Sequence, residues 1–146
     1  MHYFDTSFLV PLVLPEATSD SIARFFADLA GEDLAVSHWM RVEFSSMLAR
    51  EVRMGGLNPE AAREADARFE TMIDESFAVL LPSGEDYNLA KEYLGRFETR
   101  LRAGDALHLA IATNRRAEAI YSLDRMLLKA GQILGVPVNE GVAPST

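Results

Sequence analysis

The feature that most constrains the fold is an alternation of short apolar segments with longer segments whose apolar residues recur at helical spacing. Strands that alternate with helices are typical of a parallel sheet covered by helices on both faces, because each connection between parallel strands must cross the sheet. We therefore predict an α/β fold formed as a single domain over residues 1–146. The predicted strands are residues 2–4, 33–38, 77–82, 118–124 and 136–139.

The predicted helices have recognisable ends. Asn58 followed by Pro59 is typical of an N-cap and a first helical position, and Ser83 is a second predicted N-cap. The pair Gly55 and Gly56 is typical of a helix C-terminus. The predicted helices are residues 7–14, 16–32, 38–56, 58–76, 83–98, 102–116 and 125–135.

Composition and charge exclude several classes of protein. The formal net charge is −8, which disfavours a module that holds nucleic acid only by neutralising phosphates, but not a nuclease whose carboxylates bind cations. The chain contains no cysteine, so disulfides and thiolate metal sites are excluded, and a cytoplasmic location is expected. We expect neither a signal peptide nor a membrane span, because no apolar stretch is long enough to cross a bilayer.

Four acidic residues are poorly explained by their neighbours in sequence. Asp5 and Asp124 end predicted strands, Asp105 lies in the first turn of an apolar helix, and Glu43 has no cationic partner one helical turn away. Each has an ordinary structural explanation when taken alone. Asp124 could cap a helix, Asp105 could complement a helix dipole, Asp5 could form a turn, and Glu43 could reach water from a buried stem.

Taken together, the four acids indicate a metal site. The carboxyl ends of parallel strands lie at one edge of a sheet, so Asp5 and Asp124 can be neighbours there if the first and fourth strands are adjacent. Several carboxylates at one edge would repel each other and would need a cation. An all-oxygen ligand set suits Mg²⁺ or Mn²⁺, and such ions can activate water for attack on a phosphodiester.

Four motifs carry a resemblance to a known family. The segments "FDTS", "RVEFSS", "GDALHLAIA" and "IYSLDRML" occur in this order over nearly the whole chain, from Tyr3 to about Val138. In this respect the sequence resembles PIN-domain proteins, and more narrowly the VapC-type toxin ribonucleases of toxin–antitoxin pairs. The resemblance implies a three-layer α/β/α sandwich around a central parallel sheet.

The resemblance also assigns roles to residues. In that family, acids at the matching positions bind one or two divalent ions and support RNA hydrolysis. The positions implied here as both catalytic and metal-binding are Asp5, Glu43, Asp105 and Asp124. Thr6, Ser7 and Ser122 match hydroxyl positions near the metal and are expected to support it.

The function implied is that of a Mg²⁺- or Mn²⁺-dependent endoribonuclease, the toxin of a type II toxin–antitoxin system. The expected partners are an RNA substrate, a VapB-like antitoxin and a second copy of the chain in a homodimer. His108, one turn after Asp105, is expected to be a core residue, although it could face the site. Arg102 could contact RNA phosphate, although an exposed surface arginine is the simpler expectation.

The sequence leaves three alternatives. A haloacid-dehalogenase-like phosphatase would use Asp5 as nucleophile, but the segment "DTSFL" lacks that family's second acid, and the only lysines are Lys91 and Lys129. A response-regulator receiver would need an aspartate after the third strand, where Ser83 and Gly84 stand. A non-catalytic interaction module of the same fold is the third alternative, which the presence of all four acids disfavours.

Overall fold

The computed structural model describes residues 1–143, and within this range it contains five strands and seven α-helices. The strands are β1 (His2–Phe4), β2 (Leu34–Ser37), β3 (Ala78–Leu80), β4 (Ala119–Tyr121) and β5 (Val138–Asn139). The helices are α1 (Thr6–Leu9), α2 (Ser19–Asp28), α3 (His38–Arg53), α4 (Pro59–Ser76), α5 (Gly84–Gly95), α6 (Ala103–Asn114) and α7 (Arg125–Leu134).

All strand pairs are parallel, and the order across the sheet is β3-β2-β1-β4-β5. β1 is therefore the central strand, paired with β2 on one side and with β4 on the other. Helices flank this sheet, so the predicted three-layer α/β/α architecture is confirmed. The adjacency of the first and fourth strands, on which the metal-site hypothesis depends, is confirmed as well.

The alternation of side chains along β1 builds two cores. Tyr3 lies with the apolar residues of α5, α6 and β4, whereas Phe4 lies with those of α1 to α4 on the other face. Phe4 and Phe8 belong to an aromatic cluster that also includes Phe25, Phe26 and Tyr121. The short central strand is thus fixed on both faces, because each face buries large side chains.

The predicted N-caps of α4 and α5 are confirmed, whereas α2 is shorter than the predicted residues 16–32 at both ends. Asn58 accepts a hydrogen bond from Ala61 N, and Ser83 forms a reciprocal capping box with Asp86. The predicted first helix is instead split, since α1 ends at Leu9 and a 3₁₀ turn follows over Val10–Leu12. Proline has no amide hydrogen, and Pro11 occupies the start of this turn, where that donor is not needed.

The fifth helix is predicted over residues 83–98, but α5 ends at Gly95. A second 3₁₀ turn follows over Phe97–Thr99. In the described part of the chain, none of the helices is both long and apolar enough to span a bilayer.

Gly131 sets how closely α7 packs on β5. A Cβ added at Gly131 would lie 2.8 Å from Val138 Cγ2 and 3.1 Å from Val138 Cβ, and would also contact Val138 Cγ1. Rotation of the valine does not remove the overlap, because its Cβ is also close. The close approach of helix and strand therefore requires glycine here.

We predict that Gly131→Ala lowers the free energy of unfolding by about 1–2 kcal/mol, because overpacking exceeds the gain in helix propensity. Gly95→Ala is the matched control, since an added Cβ there has no neighbour within 4 Å. Urea denaturation of both variants measures the effect. Equal stabilities of the two variants would show that α7 can move away from β5 freely.

Candidate active site

The predicted site residues lie near the carboxyl edge of the two central strands. Asp5 directly follows β1, and Ser122 and Asp124 follow β4. Because β1 and β4 are paired, these residues meet at one end of the sheet. Glu43 lies on α3, which begins directly after β2, and Asp105 lies in the first turn of α6.

Asp5 is held by hydrogen bonds on both carboxylate oxygens. Its Oδ1 accepts from Ser7 Oγ at 2.7 Å and from Phe8 N at 3.2 Å, and its Oδ2 accepts from Ser122 Oγ at 2.6 Å. The residue is only 3% exposed, and burial raises its pKa although His108 and these hydrogen bonds act in the opposite direction. Asp5 is also the N-cap of α1, so the turn explanation and the site explanation both describe it.

Glu43 has partners that its own helix does not provide. Its Oε1 accepts a hydrogen bond of 2.6 Å from Thr6 Oγ1 and a short one from His108 Nε2. Burial opposes the charged form, but the hydrogen bond and charge of His108, together with Thr6, outweigh it and lower the pKa of Glu43. Glu43 is therefore a carboxylate held in its charged form, rather than a surface residue that merely reaches water.

His108 is both a core residue and a partner of the site. It is 1% exposed, and its Nδ1 lies 2.7 Å from the Tyr3 hydroxyl. Burial opposes its protonation, but Glu43, Asp5 and Asp105 outweigh burial and raise its pKa. The expectation of a core histidine is confirmed, and the contact with Glu43 shows that it also orients a predicted site residue.

Gly104 and Trp39 complete the surroundings of Glu43, and sequence reasoning did not identify either of them. A Cβ on Gly104 would lie 2.9 Å from Glu43 Oε2 and 3.2 Å from Trp39 Nε1. Glycine thus makes room for the carboxylate at the start of α6. A glycine in the first turn of an otherwise apolar helix was the available signal, because glycine is a poor helix former.

Asp105 shows that the acids influence one another. Burial raises its pKa to about 6, with further contributions from the charges of Asp124, Asp5 and Glu43. Among residues 1–143 its side chain has no hydrogen-bond or ion-pair partner. The helix-dipole explanation alone does not account for this, since a dipole would favour the charged form.

Asp124 caps α7 and still has one oxygen available. Its Oδ1 accepts from Met126 N at 2.8 Å and Leu127 N at 3.3 Å, which confirms the capping explanation. Its Oδ2 accepts no hydrogen bond within the described chain, and the same holds for Glu43 Oε2. Each of these carboxylates is therefore fixed by one oxygen, and the other is free.

Glu43, Asp105 and Asp124 line one cleft of ≈ 580 Å³. The donor set is all oxygen, and burial and like charges raise the pKa of Asp105 despite the opposing charge of His108, so the residues fit a hard divalent ion in kind and in charge. Within residues 1–143, however, the side chains do not already converge into a group of three or more that could hold a metal. The ligand assignments therefore stay a prediction.

Comparison with known proteins identifies relatives of this fold. The family model of the PIN domain matches residues 2–132. FitAcB from Neisseria gonorrhoeae has 18% identity and a TM-score of 0.74, with 97% of this chain and 98% of that chain covered. VapC20 from Mycobacterium tuberculosis, a Sarcin-Ricin loop cleaving toxin, has 22% identity and a TM-score of 0.70, with coverages of 90% and 95%.

A third similar structure is VapBC2 from Rickettsia felis bound to a DNA fragment from its promoter. It has 13% identity and a TM-score of 0.73, with 95% of this chain and 98% of that chain covered. A comparison with curated protein sequences finds no match. At these identities the structural neighbours establish the fold alone.

The raised pKa of Asp105 predicts how stability depends on pH. The fold favours the neutral form, so the contribution of Asp105 to stability is present at low pH and is lost as pH rises through about 6. In EDTA, Asp105→Asn should therefore melt at a higher temperature than wild type at pH 8, and the difference should shrink towards pH 4.5. Thermal melts at several pH values measure it. A variant that melts lower at pH 8 would mean that Asp105 mainly complements the helix dipole.

Proposed function

Because the chain belongs to the PIN-domain family, we propose that it is an endoribonuclease that depends on Mg²⁺ or Mn²⁺. The residues proposed to hold the metal are Asp5, Glu43, Asp105 and Asp124. The observation that carries the proposal is that Glu43, Asp105 and Asp124 line one cleft, where burial and the charges of the three other acids raise the pKa of Asp105. A bound divalent cation would relieve this repulsion, since it favours the charged form of every carboxylate near it.

The chemistry divides between the ion and the protein. A divalent cation would polarise a phosphate oxygen and lower the pKa of an attacking water. The protein keeps Glu43 ionised through His108 and Thr6, and it holds Asp5 in place through Ser7 and Ser122. Ser7 and Ser122 both donate to Asp5, so neither hydroxyl is arranged as a nucleophile.

The toxin role is part of the proposal. VapC20 is a Sarcin-Ricin loop cleaving toxin, and other structural neighbours are a VapBC complex and FitAB bound to DNA. By analogy we propose a VapB-like antitoxin as partner and a homodimer as the assembled toxin. The net charge of −8 suits a partner segment that carries basic residues. A short neighbouring reading frame for a DNA-binding protein that copurifies with this chain would support this role.

We predict that the protein, freed of any antitoxin, cuts RNA in Mg²⁺ or Mn²⁺ and stops in excess EDTA, because the proposed mechanism uses the ion to activate the attacking water. A mixture of transfer and ribosomal RNA is the substrate, and fragments are resolved by gel electrophoresis. Cleavage that continues undiminished in the chelator would contradict the metal assignment. Absence of cleavage under all conditions would favour the alternative, a non-catalytic interaction module.

We predict that Glu43→Gln reduces cleavage by at least about 100-fold, leaves the fold intact by circular dichroism, and lowers the melting temperature in EDTA because the ionised carboxylate stabilises the folded state through His108. Glutamine retains an oxygen that can accept from Thr6 and His108, but it lacks the charge that binds a cation. Glu92→Gln is the control, since Glu92 is an exposed residue of α5. Near wild-type cleavage by Glu43→Gln would remove Glu43 from the site.

A further inference from the structure

Two cavities meet at the acidic residues. The cleft of ≈ 580 Å³ extends from Glu43, Asp105 and Asp124 to Arg50 and Arg53. A second cavity of ≈ 210 Å³ begins at the same Asp105 and Asp124 and extends to Arg100 and Met126. Arg102 lines both cavities. The two cavities form one groove, with the acids and Arg102 at its middle, Arg50 and Arg53 towards one end and Arg100 towards the other.

The four groove arginines are free to bind a ligand. Arg50, Arg53, Arg100 and Arg102 are all exposed, and none forms an ion pair with another residue in the described chain. Arg50 and Arg53 follow Glu43 on α3 by seven and ten residues, which corresponds to about 10 and 15 Å along a helix axis. They therefore lie at increasing distance from the acids, as successive contacts along a strand would require.

Ordinary structural roles account for only one pair. Arg50 and Arg53 lie in the last turn of α3, where a helix dipole favours cations. Arg102 has the opposite placement, since it is the N-cap residue of α6, where the dipole disfavours a cation. Arg100 has a left-handed backbone conformation with φ of 57°, which an arginine rarely adopts. The positions of Arg100 and Arg102 therefore indicate a role other than stabilising the fold.

We propose that a single RNA strand lies along this groove, with its phosphates held by Arg50 and Arg53 towards one end, by Arg102 beside the acids and by Arg100 towards the other end. The inference rests on the proposed nuclease function and specifies how the substrate binds. A guanidinium group can hold a phosphate through two parallel hydrogen bonds. The acids repel the RNA backbone at the centre, so the arginines along the groove supply the attraction that a chain of net charge −8 otherwise lacks.

The test measures binding rather than cleavage, in a Glu43→Gln background that keeps the RNA intact. Fluorescence anisotropy with a labelled, mixed-sequence single-stranded RNA in Mg²⁺ gives the dissociation constant at several salt concentrations. One variant carries Arg50→Gln and Arg53→Gln, and another carries Arg100→Gln and Arg102→Gln. The control carries Arg24→Gln and Arg63→Gln, two exposed arginines of α2 and α4 that also form no ion pair in residues 1–143.

We expect each groove variant to bind RNA at least about 10-fold more weakly and to lower the salt slope by roughly 1.4, which corresponds to two lost phosphate contacts. The control variant loses the same two positive charges as each groove variant, but it should retain the salt slope of the parent protein. Lysine at the same groove positions should restore the slope, which excludes a folding defect as the cause.

The outcomes separate the two proposals. A parent protein that binds no RNA would contradict the nuclease function itself. If all variants bind RNA equally well, or if only one of the two groove variants loses affinity, the proposed RNA path along the whole groove is wrong. Neither result contradicts the nuclease function. Groove variants that keep the RNA slope but lose the copurifying antitoxin would make the groove a protein interface and would also overturn the proposal.

Discussion

The site depends on the hydrogen bonds that hold the buried carboxylate of Asp5. Removing a carboxylate from water is unfavourable unless hydrogen bonds replace its hydration. Here the replacement comes from Ser7 and Phe8, just after β1, and from Ser122, just after β4. The bond from Ser122 joins the ends of two strands across 117 positions of sequence, whereas the bonds from Ser7 and Phe8 are local. The hydrogen bonds to Asp5 therefore fix the edge of the sheet near which the other predicted acids lie. Asp5 thus contributes to both the fold and the site.

A second network, formed by Tyr3, His108, Glu43 and Thr6, connects the core to the cleft. Its histidine is buried, with a charged form favoured by three surrounding acids, and its glutamate is kept ionised by that histidine. Asp105 has no such partner in the described chain, and its raised pKa shows that burial and like charges outweigh the opposing charge of His108. The site is thus neither a set of paired structural acids nor a closed metal cage. It combines Asp5, which is held by both carboxylate oxygens, with Glu43 and Asp124, each held by one oxygen, and with Asp105, whose side chain has no partner in the described chain.

Much of this arrangement could be predicted from the sequence, because it depends on local patterns. Apolar segments marked the strands, Asn58 and Ser83 marked helix starts, and the alternation of elements predicted a parallel sheet. The pairing of Glu43 with His108 could not be predicted, since it joins residues 65 positions apart through the packing of α3 against α6. The space that Gly104 leaves for Glu43 and the junction of two cavities at the acids likewise arise only from tertiary packing.

The central claim is that these acids together bind a divalent ion at the carboxyl edge of β1 and β4. Paramagnetic broadening by Mn²⁺ in amide-resolved NMR spectra tests it most directly, because the broadening falls steeply with distance from the ion. Substoichiometric Mn²⁺ should selectively broaden the amides of residues 5–7, 43, 104–106 and 122–124, and excess Mg²⁺ should reverse it. Broadening that is uniform, or that centres on acids away from this edge, would contradict the account.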